Sequence, residues 1–510
     1  SKNITTASNL PSAPNREGEA TKYEAVQMKH LLLILGLVFS TVNIGNLDSA
    51  QAFYGKQSHK AILTFKGKLE VESGLEMEDI KEEIENQTSY LLGTFQSESF
   101  AKEFGSKGVV GEDQKITKIK VKHLPEKDMD LVTYQFEAET LFNKNAFGRK
   151  KTIRVPIKLP LNPEDIYSHG IVGSTNKCTD KNYNSEGDFF YFWDPDQKGC
   201  PLKGDKEHVL RIKGTLKKLK KTKRTYPEYD KIFGDNDNGD TTRIDLFYGY
   251  IESKAPRNLH HYLNQTLLVQ DPEASIDNVD DAIISAYEIG DFLESKRFRL
   301  SERTLFGKLT KRQVTSLTKK GLELDHRPTL DEGHTPGEKR TYKKTFDSGK
   351  EVEVNIIIAH SDLQDNKRKK STLFKNMFED ALENADIIDY EGHSGLGGNL
   401  DLKSLYGDRD VFNPDKYQII FINGCHSYSY FKNMFMDRKN HPQNLDLILS
   451  GLSTMSDDAT NNTKAFLKYF LNPDKKRKAT YQTILNAIER SNNKENGTYL
   501  TSVFGDINNF

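Results

Sequence analysis

The sequence predicts an α/β protein. Its C-terminal half reads as a helix/parallel-sheet/helix sandwich, and a β-rich α+β accessory domain precedes it. Three observations carry this. Runs such as Ile356-Ile357-Ile358 and Ile419-Ile420-Phe421-Ile422 do not alternate, so their strands are covered on both faces. Helical text separates such runs, with Leu373, Phe374, Met377, Phe378, Ala381 and Leu382 forming one apolar face. Upstream, segments 61–71, 115–123, 132–138 and 153–159 alternate apolar and polar residues, the period of half-exposed strands.

In chain order, the accessory domain is expected over 57–265. A helix with Met77, Ile80, Ile84 and Leu91 on one face interrupts its strands, and strands at 209–219 and 242–251 flank the turn 234–240. That turn is rich in Asp, Asn and Gly, but counting back from Gly239 puts Gly234 where a calcium loop needs its first carboxylate, so a tight Asx turn is the reading. The α/β domain is expected over 272–510. It begins with helices at 276–293 and 310–320 and a hairpin around Asp347-Ser348-Gly349. Strands follow at 352–359, 387–390, 417–423 and 445–450, a helix lies around Phe431, and helices at 464–471 and 480–491 close the chain.

The composition is that of a folded chain, and at 510 residues it is too long for one core. A net charge of −1 gives no global field toward nucleic acid or acidic lipid, so nucleic-acid partners are not expected. The basic runs at 217–224, 367–370 and 475–478 read as solvated faces. Residues 1–27 are polar and aperiodic, a disordered leader or an over-extended start. At 28–52, Lys29 and His30 precede a short apolar run and then Ser49-Ala50-Gln51-Ala52, the pattern of a secretory signal peptide. The run is too short to span a bilayer, so export without an integral membrane segment is expected. In an exported protein Cys178 and Cys200, 22 residues apart, are candidate disulfide partners, which leaves Cys425 as the odd thiol.

The reactive residues sit at strand ends, where open parallel sheets collect ligands. One strand ends in Glu391-Gly392-His393-Ser394-Gly395 and the next in Asn423-Gly424-Cys425-His426-Ser427. If the strands are neighbours, His393 and Cys425 emerge side by side. A thiol becomes a competent nucleophile beside a base, and histidine is the usual one. Backbone N–H groups at Cys425, and around Ser394, Gly395 and Gly424, would serve the oxyanion. No glycine pattern fits a dinucleotide or nucleotide-phosphate loop, and no spacing suggests a zinc site, so no cofactor or metal is expected.

Tyr390-Glu391-Gly392-His393 and Ile422-Asn423-Gly424-Cys425 resemble the clan of cysteine peptidases that includes caspases, legumains, gingipains and clostripain, most of all its bacterial, gingipain-type branch. The resemblance covers roughly 352–491, under a third of the chain. It implies a caspase-like fold for 272–510, endopeptidase activity on protein or peptide substrates, His393 as acid/base and Cys425 as nucleophile. Two positions depart from the pattern: Ser394 stands where relatives carry glycine, and Gly424 where many carry alanine. Two other readings share these residues. One is an inactive caspase-fold binding protein of the surface or envelope. The other is a serine α/β-hydrolase using Ser394, which lacks the final glycine of its elbow at Leu396 and would draw its base from His426 or His441.

Overall fold

Alternating segments need one covered face, and the N-terminal half supplies it with a five-stranded antiparallel sheet. The computed structural model describes residues 55–168, 178, 193–220, 224–234, 241–251, 254–322, 336–360, 372–394, 399–439, 442–454, 456–491 and 501–504. The expected leader and signal peptide, most of the Asx turn, the basic run 367–370, Gly395 and His441 lie outside the described residues. The strands β1 (Ser58–Glu72), β2 (Gly108–Leu124), β3 (Met129–Asn143), β4 (Thr152–Pro160) and β5 (Val209–Lys218) run in the order β2-β3-β1-β5-β4. Leu63, Phe65 and Leu69 of β1 stand opposite Ala138, Phe136 and Val132 of β3, all buried. Helices α1 (Met77–Ser89), α2 (Leu91–Gln96) and α3 (Glu98–Phe104) add Ile80, Ile84, Phe95 and Phe100 to the same apolar cluster. Cys178 and Cys200 are disulfide-bonded, and Cys425 is free.

The second sheet has eight strands in the order β13-β12-β11-β10-β6-β9-β8-β7. They are β6 (Thr241–Gly249), β7 (Arg299–Phe306), β8 (Gly337–Thr345), β9 (Glu351–Ala359), β10 (Ile387–Glu391), β11 (Gln418–Asn423), β12 (Leu445–Ser450) and β13 (Thr501–Phe504). Five of them, β12, β11, β10, β6 and β9, are parallel, and β8, β7 and β13 pair antiparallel at the flanks. Helices cover both faces. Helices α4 (Leu259–Gln270), α5 (Asp281–Ser295), α8 (Ser456–Leu467) and α9 (Tyr481–Ser491) pack with Ile244, Leu246, Ile387, Ile419 and Phe421. On the other face α6 (Thr372–Asn384) and α7 (Lys432–Arg438) pack with Phe247, Ile388, Tyr390, Ile420 and Ile422, and this cluster continues into the N-terminal sheet.

Two expectations need correction. The strand expected at 242–251 does not belong with the N-terminal sheet: β6 lies between β9 and β10. Its partners Val352 and Ile387 are more than 100 residues downstream, pairings that no local pattern announces. Sheet membership therefore changes between Lys218 and Thr241. The closing helices are also followed by one more strand, β13, at the edge beside β12.

Candidate active site

Because β6, β10 and β11 are parallel and in register, their carboxyl ends finish together. Tyr248, Glu391 and Asn423 form the last row of the ladder. His393 and Cys425 each follow that row by two residues, so they leave the sheet at the same height from adjacent strands. The two turns touch. A Cβ on Gly424 would sit 3.1 Å from the Gly392 carbonyl oxygen and 3.9 Å from the Ser394 nitrogen, so this turn has little room for the alanine of the resembled pattern.

His393 is exposed, and a backbone carbonyl fixes its ring: Nε2 lies 2.6 Å from the oxygen of Ile251, just beyond β6. A carbonyl only accepts, so Nε2 carries the proton and Nδ1 is the basic nitrogen of the neutral ring. The Ile251 N–H in turn donates to the buried carboxylate of Asp280, at 3.4 and 3.3 Å to its two oxygens. Asp280 also caps α5 by accepting the Ala282 N–H at 3.0 Å. Behind the imidazole, the Tyr390 hydroxyl donates to the His393 carbonyl at 2.8 Å and sets the course of the turn.

Cys425 is part-exposed, yet its sulfur lies in dense surroundings and donates to the Thr454 carbonyl at 3.7 Å. Burial pushes the thiol up, with the Thr454 contact opposing. Imidazole and thiol are not hydrogen-bonded to each other; the fold joins their turns and leaves each group on a backbone carbonyl of its own. The next residue, His426, is buried and holds φ 51°, the left-handed region that a non-glycine residue enters at a cost of about 1–3 kcal/mol. Its Nε2 lies 3.2 Å from the Ser453 hydroxyl, and burial lowers its pKa to about 3, so the ring stays neutral. Ser394 is buried and its carbonyl accepts the Asn399 N–H at 3.1 Å. Its hydroxyl bonds to no histidine among the described residues, so His426 does not stand as its base.

Sequence reasoning missed Ile251, which follows a strand assigned elsewhere, and Asp280, which lay inside the helix expected over 276–293. It also missed a buried acidic row beneath the site. Asp389 and Glu391 point to the α5/α8 face, each 2% exposed, and neither Glu391 oxygen has a hydrogen bond of normal geometry. The signal was available: two acids at alternate positions, one inside and one just past the strand expected at 387–390. Burial pushes the Asp389 carboxyl up to about 7, opposed only by the Thr463 hydroxyl donating at 2.6 Å. Burial, then the neighbouring charge of Asp389, raises Glu391 as well, against the Ser285 hydroxyl.

The raised acid fixes the sign of a pH effect. An unfolded Asp ionises near about 3.9, so between there and about 7 only the unfolded chain gives up the proton. The stabilising contribution of the neutral carboxyl is complete below the first value and lost as pH rises through the second. Asp389→Asn removes this slope. In urea unfolding the variant should gain on the wild type by on the order of 2–4 kcal/mol between pH 4 and pH 8. A difference that stays flat with pH would show that Asp389 is ionised in the fold.

Among the described residues no group of three His, Cys, Asp or Glu side chains could hold a metal ion, and no helix is long and apolar enough to cross a membrane. No protein-family model matches the chain, and no curated protein matches it in sequence.

Proposed function

We propose that the chain is an exported cysteine endopeptidase of caspase-like fold, with Cys425 as nucleophile and His393 as acid/base. One observation carries the reading: the β10/β11 register, which brings His393 and Cys425 out at one height with their turns in contact. The Ile251 carbonyl adds to it. A surface imidazole needs no fixed tautomer, whereas a general base needs its acceptor nitrogen defined.

The chemistry follows from these atoms. The thiol is raised, so no thiolate stands ready and proton removal accompanies attack. Sγ leaves Thr454 and attacks the substrate carbonyl carbon as its proton passes to Nδ1 of His393. The Nε2–H bond to Ile251 strengthens as the ring becomes imidazolium. The tetrahedral oxyanion meets backbone N–H groups of the Cys425 and Ser394 turns. Its collapse breaks the peptide C–N bond, and Nδ1 returns the proton to the leaving amine. Water, deprotonated by the same nitrogen, then hydrolyses the thioester and frees the sulfur. Protein or peptide substrates are the partners, and export rests on the 28–52 pattern.

One observation favours the inactive binding protein instead: Sγ is engaged by Thr454 and not by His393. A peptide carrying an acyloxymethyl ketone separates the two. The peptidase becomes labelled at Cys425, found by mass spectrometry of the digested adduct, and labelling is lost in His393→Ala. Labelling unaffected by His393→Ala, or none at all with a varied panel of residues before the scissile bond, rules the peptidase out.

A further inference from the structure

The segment that follows Cys425 is held from two sides, by its own domain and by the N-terminal sheet. On the near side, the Ser427 hydroxyl donates to the Ile422 carbonyl at 2.8 Å and accepts the Ser450 N–H at 2.7 Å. On the far side, three hydrogen bonds and an ion pair cross between the sheets. The Tyr428 hydroxyl donates to Glu139 Oε1 at 2.6 Å, the Ser429 hydroxyl to the Val110 carbonyl at 2.6 Å, and the Asn433 N–H to Glu112 at 2.9 Å. Lys432 pairs with Asp113.

Glu139 is the junction. The same oxygen that accepts from Tyr428 lies 2.9 Å from the Lys60 ammonium, which is 2% exposed and sits over the Phe504 ring at 4.0 Å. Gly111 gives the tyrosine its seat, since a Cβ there would fall 3.1 Å from the ring. Burial would raise Glu139, but Lys60 and the Tyr428 hydroxyl hold it below the usual carboxylate range, so the acceptor is charged. A buried ion pair of this kind contributes little net stability compared with apolar packing, and phenylalanine would fill the same seat. What the charge supplies is a fixed place for one hydroxyl. That hydroxyl is three residues from Cys425, joined to it by the left-handed His426 and the 3-10 turn Ser427–Ser429, a connector with little slack.

We propose that Lys60, Glu139 and Tyr428 are positioning residues through which the N-terminal sheet holds the Cys425 turn in place against His393. The sheet is then a working part of the site and not a separable appendage. The assignment of roles rests on the peptidase reading, but the holding of the turn does not, and the two are measured separately.

The experiment uses the full chain with Tyr428→Phe, Glu139→Gln and, as a control on the same interface, Asp113→Asn. Three quantities are read: melting temperature, the pH profile of Cys425 alkylation by iodoacetamide, and kcat and KM on a peptide substrate. Tyr428→Phe should keep the melting temperature within about 3 °C. The freed thiol should alkylate about tenfold faster at neutral pH, its profile moving down toward that of an ordinary cysteine. The kcat should drop about tenfold or more with KM little changed. Glu139→Gln should move alkylation the same way, the double variant should add nothing further, and Asp113→Asn should leave the profile in place. Should Tyr428→Phe not fold, the double variant Lys60→Met with Glu139→Gln, which removes the hydroxyl's charged acceptor without stranding a buried cation, carries the same comparison. An alkylation profile unmoved in both variants, or moved equally by Asp113→Asn, overturns the proposal. A shifted profile in a protein that hydrolyses no peptide supports the holding and removes only the peptidase reading.

Discussion

Replacing His393 by alanine should lower kcat for peptide hydrolysis by about 10²–10⁴-fold, or about 3–5 kcal/mol of barrier, while the melting temperature stays near that of the wild type. Stability should hold because the ring is exposed and its one hydrogen bond among the described residues, to Ile251, is one that water can replace. Activity should fall because burial raises the thiol, so without a base little thiolate forms at neutral pH. The defect should therefore narrow as pH climbs and hydroxide deprotonates the sulfur directly. A pH–rate profile of the variant beside the wild type reads this. If the two run parallel to pH 10, His393 does not take the thiol proton, and the Ile251 bond is a surface contact without a catalytic role.

The parts of the site legible in the sequence are those that rest on local pattern. Strand β11 announced itself as an unbroken apolar run and β10 as a short strand at 387–390, and their chemistry stood just past their ends. Their adjacency was a condition, not a reading, and the register supplies it. What stayed hidden is what depends on distant pairing. The segment that forms β6 looks like its alternating neighbours until β9 and β10 enclose it, and Ile251 moves with it. Asp280 was inside the stretch expected as a helix over 276–293, whereas the helix begins only at Asp281, with Asp280 as its cap. A start five residues later than expected turns Asp280 from a helix-interior residue into the cap that fixes the His393 support. The antiparallel β7 was not expected either, since Arg299, Leu300, Ser301 and Glu302 are all exposed at the sheet's edge and leave no apolar period to read.

A second large effect lies away from the reactive atoms. Glu338→Ala should cost about 3–5 kcal/mol in urea unfolding, because it leaves the buried Arg340 and the half-buried Arg303 without their counter-charge. Glu338 is fully buried on β8 and accepts from Arg303 and from the Tyr262 hydroxyl, and Arg340 lies 3.7 Å away. Arg340 is itself 4% exposed, with its guanidinium 3.9 Å above the Tyr287 ring and its Nε and one Nη without hydrogen bonds. The cation–π contact alone is worth about 2 kcal/mol when desolvated, which does not offset burying a guanidinium. Burial would raise Glu338, but Arg340 and then Arg303 hold it below the usual range. For an acid depressed in this way the stabilisation is present above the unfolded value, about 4.3, and lost as pH falls through the lower folded one. Against Glu338→Gln, the wild type's advantage should thus be full at pH 7 and shrink below pH 4, which separates the charge from the shape of the side chain. The consequence reaches the site through α4 and α5: Tyr262 and Tyr287 tie these helices to the cluster, and α5 is capped by Asp280, which holds the Ile251 peptide. Stability and the anchoring of His393 should therefore fall together in Glu338→Ala. An unfolding free energy within about 1 kcal/mol of the wild type would mean that water reaches the two arginines and that the cluster is not a dry one.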